Sequence, residues 1–312
     1  MSKFNPYDHL KIFLNPDGTL TRHLKIPVVE AKPNAAPDDV VVSKDVTLNE
    51  ENKTWVRIFL PTKLPASNAR LPIIIYFHHG GWVLFSAADP VIHADCARLA
   101  SKIPAVVVSL NYRLAPENRI PAQYYDAMEA INWVNRQRTN PKCDLWIRDY
   151  GDFSRCYLYG SGNGANMVFF VSLKAYEHQL GLAGIILNQP MFGGERRTKS
   201  EIEFATDELY PLPVFDLMWH LALPKGVNRD HRYCNPIMEG PHRSLISGLG
   251  RCLVIGFGKD PLIDRQQDFV TLLAHSGVHV EAYFDEVGFH NIHLVDPRRA
   301  EVVVNLMREF MI

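Results

Sequence analysis

Leu158-Tyr159-Gly160-Ser161-Gly162-Asn163-Gly164-Ala165-Asn166 decides how the rest of the chain is read. An apolar run enters this stretch and a helical pattern leaves it, so the small residues at 160, 162 and 164 mark a sharp strand-to-helix turn. The spacing is that of G-x-S-x-G, in which a serine sits at the apex as a nucleophile. Here the apex residue is Gly162. Glycine has no hydroxyl, so no acyl-enzyme can form at this position and any activity must be explained without one. Ser161 lies one residue before the apex, where its side chain should project elsewhere. A phosphate-cradling loop is excluded because the G-x-x-x-x-G-K-[ST] pattern is absent.

Outward from the turn, strand-like and helix-like segments alternate. Leu71–Phe77 is a continuous apolar run, as expected of a strand buried on both faces, and Trp55–Leu60 alternates like an edge strand. Further strands are predicted at Ala105–Leu110, Arg155–Tyr159, Ala183–Leu187, Cys252–Phe257 and Val280–Phe284. Helical patterns fall at Val91–Lys102, Pro121–Arg138, Asn163–His178, Arg265–His275 and Arg298–Phe310. This βαβ series predicts one domain over residues 1–312, with a mostly parallel sheet flanked by helices. Residues 192–249, rich in proline, charge and aromatics with a helix around Pro213–Leu223, read as a cap insertion over the site. Residues 1–42 read as an arm folding back on that cap.

Composition bounds the function. The chain has 312 residues, 47% of them apolar, and a formal net charge of −1, enough for a large core with no charge excess to suit nucleic acid or a membrane surface. A small-molecule ligand is the remaining partner class, and a monomer or weak homodimer is expected. Cys96, Cys143, Cys156, Cys234 and Cys252 are odd in number and scattered, which reads as reduced thiols. Neither a leader pattern nor an apolar stretch of spanning length is seen, so a cytoplasmic location is expected.

Three further groups of residues bear on chemistry. His78-His79-Gly80-Gly81-Trp82 closes a buried strand with small residues whose amides can approach a substrate oxygen. Gly258-Lys259-Asp260-Pro261-Leu262-Ile263-Asp264-Arg265 follows the Cys252–Phe257 strand; Asp260 is placed as a triad acid, and Asp264 as the cap of the helix beginning near Arg265. Gly288-Phe289-His290-Asn291-Ile292-His293 follows the next strand and places His290 as the base. A metal at His290 and His293 is not supported, since three or four convergent ligands are needed. No cofactor is implied. Trp82, Phe85, Phe215, Trp219 and His220 are the candidate pocket-lining residues.

Together these residues, with Tyr112-Arg113-Leu114-Ala115-Pro116-Glu117, Pro121-Ala122-x-Tyr124 and Leu14-Asn15-Pro16-Asp17-Gly18-Thr19-Leu20-Thr21-Arg22, resemble the plant carboxylesterase family, the hormone-sensitive-lipase-like branch of the α/β-hydrolases. The resemblance runs over nearly the whole chain. It implies an α/β-hydrolase fold with a helical cap, a Ser-Asp-His triad and plant ester substrates. By position, Asp260 and His290 match acid and base, Gly80, Gly81 and Asn163 match the oxyanion donors, and Gly162 matches the nucleophile. His79 stands for a family glycine, and Ser161 where the family commonly has aspartate.

Three functions follow from this degenerate triad. One is non-hydrolytic: a lyase, cyclase or isomerase in which His290 moves a proton on a specialised metabolite. Another is a carboxylic ester hydrolase whose serine is replaced by glycine. The third is a non-catalytic binding protein or receptor. The receptor-like branch of the family loses the histidine and keeps the serine, the opposite of the pattern here. Loss of a triad serine costs about six orders of magnitude in turnover, whereas a positioned base contributes about two to four orders without any hydroxyl at 162.

Overall fold

The computed structural model describes residues 4–64 and 69–312. Its elements, in chain order, are α1 (Pro6–His9), β1 (Ile12–Leu14), β2 (Leu20–Arg22), β3 (Val41–Asn49), β4 (Thr54–Pro61), β5 (Leu71–Phe77), α2 (Pro90–Lys102), β6 (Val106–Asn111), α3 (Ala122–Arg136), α4 (Leu145–Tyr150), β7 (Gly151–Ser161), α5 (Asn163–Glu177), β8 (Gly184–Asn188), α6 (Lys199–Glu203), α7 (Leu212–Ala222), β9 (Cys252–Phe257), α8 (Ile263–His275), β10 (Val280–Asp285) and α9 (Pro297–Phe310).

Eight strands form one sheet in the order β10-β9-β8-β7-β5-β6-β4-β3. Pairing is parallel from β10 to β6 and antiparallel where β4 meets β6 and β3. Period-two alternation divides each inner strand between two cores. Ile73, Ile75 and Phe77 face α3, α5 and α8, whereas Ile74 and Tyr76 face α2 and α9. Burial on both faces is why β5 and β9 read as unbroken apolar runs.

The edge assignment needs correction. β4 pairs on both sides, with Phe59 opposite Val107 and Ser43, so the true edge is β3. β3 begins at Val41, inside the stretch expected to be arm, and its charged and polar residues hid it. Ahead of it, the β1–β2 hairpin carries Ile12 and Leu20 into a small core with Val83, Leu217 and Leu221. Arg22 fixes this hairpin by donating to Glu117, to the Val83 carbonyl and to the Ala115 carbonyl, each at 2.7–2.9 Å.

Candidate active site

Four loops leave the carboxyl ends of parallel strands and meet at one point: the turn after β7, the His78–Trp82 loop after β5, the Asp260 loop after β9 and the His290 loop after β10. This is where an open α/β sheet places its ligands.

The β7–α5 turn is as tight as its sequence demands. Gly162 takes φ 57°, ψ −122°, a conformation unfavourable for a side-chain-bearing residue. At Gly164 a Cβ would lie 2.0 Å from the Phe77 carbonyl oxygen, so helix and strand can approach this closely only without a side chain. Gly162 therefore stands at the apex. A Cβ built on it would lie 3.4 Å from His290 Nε2 and 3.7 Å from Asn291 Nδ2.

His290 Nδ1 lies 2.8 Å from Asp260 Oδ2, with both side chains buried. A carboxylate only accepts, so Nδ1 carries the proton and the Nε2 lone pair faces position 162. Asp260 is saturated: Oδ2 also accepts from Gln189 Nε2 and Gln266 Nε2 at 2.9 Å, and Oδ1 accepts from the Leu262 amide at 2.9 Å. Gln189, which the sequence did not single out, ties the two loops together. Its Nε2 also donates to the Phe289 carbonyl, and its Oε1 accepts from the Asn291 amide. Its only local mark is a polar residue following Asn188 at the end of the otherwise apolar strand β8.

Ser161 Oγ donates its hydroxyl hydrogen to Asn291 Oδ1 at 3.1 Å rather than to His290. Asp264 corrects another expectation. Helix α8 begins at Ile263 with no side-chain cap, and Asp264 accepts the Ser200 amide in α6, joining two helices instead.

The anion cradle departs from its expected form. The Gly80 amide has no protein partner among the described residues, and the Asn163 amide lies in the first turn of α5, where helices leave donors free. The Gly81 amide is not free: it donates to Asn163 Oδ1 at 2.7 Å. Asn163 Nδ2 in turn donates to Tyr112 Oη, which donates to the His78 carbonyl.

Beside the turn lies a cavity of about 290 Å³, lined among others by Gly80, Phe85, Tyr210, Met218, His290 and Asn291. Of the predicted pocket aromatics only Phe85 lines it. Trp82 and Trp219 are buried against each other with ring centroids 4.8 Å apart, and Phe215 meets the His290 ring edge-on at 5.1 Å without facing the cavity. His220 lines a separate surface depression with Arg119 and Lys225. Aromatic composition could not separate core from lining, since both bury the same side chains. Tyr210, His9 and Leu10 reach the cavity from segments distant in sequence, and His9 Nε2 lies 3.0 Å from the Leu209 carbonyl.

The imidazoles around the turn are buried. Burial lowers the pKa of His78 to about 4 and those of His79 and His293 to about 3, so these imidazoles are neutral at pH 7. Burial likewise raises the pKa of the Tyr210 hydroxyl, keeping it protonated. Among the described residues, no three His, Cys, Asp or Glu side chains converge as a metal group, and no helix is long and apolar enough to cross a membrane. All five cysteines are free thiols.

A model of the α/β-hydrolase fold matches residues 74–294, and the chain belongs to that family. Within it, the chain is 50% identical to probable carboxylesterase 9 of Arabidopsis thaliana, over 99% of this chain and 97% of that protein. It is 42% identical to a 3-O-acetylpapaveroxine carboxylesterase of Papaver somniferum, over 98% and 99%. Among solved structures, an esterase of Pyrobaculum calidifontis superposes with a TM-score of 0.71 at 25% identity, covering 87% of this chain and 84% of that one.

Proposed function

We propose that this carboxylesterase-like chain is an enzyme that acts on a small plant specialised metabolite without hydrolysing it, His290 moving a proton in a lyase, cyclase or isomerase type of reaction. One observation carries the reading: the His290–Asp260 pair is buried, hydrogen-bonded at 2.8 Å and aimed at position 162, where the sequence supplies no hydroxyl. An acyl-enzyme route is disfavoured further because the neighbouring Ser161 hydroxyl is engaged by Asn291.

In the proposed step, His290 Nε2 takes a proton from a carbon next to a carbonyl or iminium group. The electron pair left behind flows onto the oxygen or nitrogen, or expels a β-acyloxy group as carboxylate. The imidazolium, held by Asp260, then returns the proton to the product. The Gly80 amide, without a protein partner among the described residues, and the Asn163 amide at the start of α5 are the donors assigned to the developing anion, which a low-dielectric site stabilises more than water would. A positioned base of this kind contributes about two to four orders of magnitude.

The cavity, about 290 Å³, suits a small and largely apolar ligand. Residues 4–40 and 192–249 act as arm and cap, supplying His9 and Tyr210 to its wall. The likeness to a relative named for an acetylated plant compound supports an acylated plant metabolite as substrate class.

The test is to incubate the purified chain with a panel of β-acyloxy and iminium-type plant metabolites and follow products by mass spectrometry. Turnover by the native protein, reduced at least about 10²-fold in His290→Gln, is expected. A panel left unchanged by the native glycine protein would refute the reading.

A further inference from the structure

We propose that the Asn163 carboxamide is a built-in stopper of the anion cradle, so that ester hydrolysis is disabled at two separate points, the missing hydroxyl at 162 and the occupied amide of Gly81. The proposal deepens the functional reading above and rests on its placing of the nucleophile seat at Gly162.

The geometry is specific. Asn163 Oδ1 lies 2.7 Å from the Gly81 nitrogen, the distance at which an oxyanion would have to sit to use the same donor. The carboxamide is held at its other end as well, where Nδ2 donates to Tyr112 Oη at 3.1 Å. Tyr112 is itself anchored by donating to the His78 carbonyl at 2.9 Å and by stacking on the His78 ring, centroids 4.1 Å apart. Asn163 is only 1% exposed, so swinging its carboxamide aside would break both of its buried hydrogen bonds, to the Gly81 amide and to Tyr112 Oη.

Asn163 thus plays two parts. Its backbone amide adds a donor at the helix start, while its side chain consumes another. The cradle keeps two donors instead of three. A tetrahedral acyl intermediate concentrates its charge on one oxygen, so each donor lost costs about 10²–10³-fold in turnover. An enolate spreads the charge over oxygen and carbon and depends less on the third. The side chain at 163 therefore acts as a specificity-determining residue that disfavours acyl transfer while leaving His290 free to act.

The test compares kcat and KM for p-nitrophenyl acetate in full-length Gly162→Ser, Gly162→Ser/Asn163→Ala and Gly162→Ser/Asn163→Ser, each checked for its melting temperature. The serine variant shortens the side chain, withdraws the acceptor from Gly81 and serves if the alanine variant does not fold. Opening one donor should raise kcat by about 10²–10³-fold over Gly162→Ser with little change in KM. The proposal is overturned if Gly162→Ser alone already turns over like an ordinary esterase. It is equally overturned if the folded double variants stay within about threefold of the single one, inactivity in all three included. These outcomes concern engineered serine proteins, whereas the proton-transfer reading is tested on the native glycine protein, so either can fail alone.

Discussion

Asp260→Asn separates the charge of the carboxylate facing His290 from its geometry. The carboxylate accepts four N–H groups, three on Oδ2 and one on Oδ1. An asparagine must turn its NH2 toward one side, and the smaller loss is toward the Leu262 amide. Turning it toward Oδ2 would set it against His290 Nδ1 and both glutamines, of which Gln189 is pinned by its bonds to Phe289 and Asn291. The retained oxygen then still faces His290. The imidazole keeps its proton on Nδ1, and only the negative charge is lost.

The cost can be estimated from the same contacts. One buried donor left facing another costs about 1–3 kcal/mol. Three hydrogen bonds pass from charge-assisted to neutral, at roughly 1 kcal/mol each. The easier burial of a neutral amide offsets part of this, leaving a net loss of about 2–4 kcal/mol. Urea unfolding measures the loss, and nitrogen-15 shifts of the His290 ring report the tautomer. A loss below about 0.5 kcal/mol, or a ring protonated on Nε2, would refute the reasoning.

Acid sensitivity and the glycine turn give two further expectations. The buried His78, His79 and His293 have pKa values lowered to about 3–4, so the unfolded chain takes up their protons first as pH falls. Stability is therefore full above about pH 6.5 and declines toward pH 4, by up to roughly 1 kcal/mol per pH unit for each histidine. A urea midpoint unchanged between about pH 7.5 and pH 5 would contradict this. Gly164→Ala should destabilise by more than about 3 kcal/mol, because its Cβ would lie 2.0 Å from a backbone carbonyl oxygen. Gly162→Ala, with its nearest contact at 3.4 Å, should cost only the backbone strain of its sparsely populated conformation, about 1–3 kcal/mol. Chemical unfolding of the two variants gives the order, and the reverse order would be inconsistent with this turn.

Much of the scaffold was legible because burial on both faces leaves a local mark. The runs Leu71–Phe77 and Cys252–Phe257 have the limits of β5 and β9, and the glycine spacing marked the β7–α5 turn. β3 escaped because an edge strand need not be apolar, and the pairing that defines it lies across the sheet. The chain order of turn, acid and base also placed Gly162, Asp260 and His290 in one site, whose distances the structure supplies.

What the sequence by itself determined is the architecture and one chemical fact, that the apex of the turn has no hydroxyl to offer. Tertiary structure alone decided what surrounds that apex. Gln189 braces two loops, Asn163 takes the Gly81 amide, and Tyr210 and His9 rather than the tryptophans line the cavity. The physical reason is the range of the interactions. Periodicity and turn chemistry act between neighbours and are written in the local sequence, whereas the partner of a buried amide or carboxylate is set by which distant segments the packed sheet brings within hydrogen-bond reach.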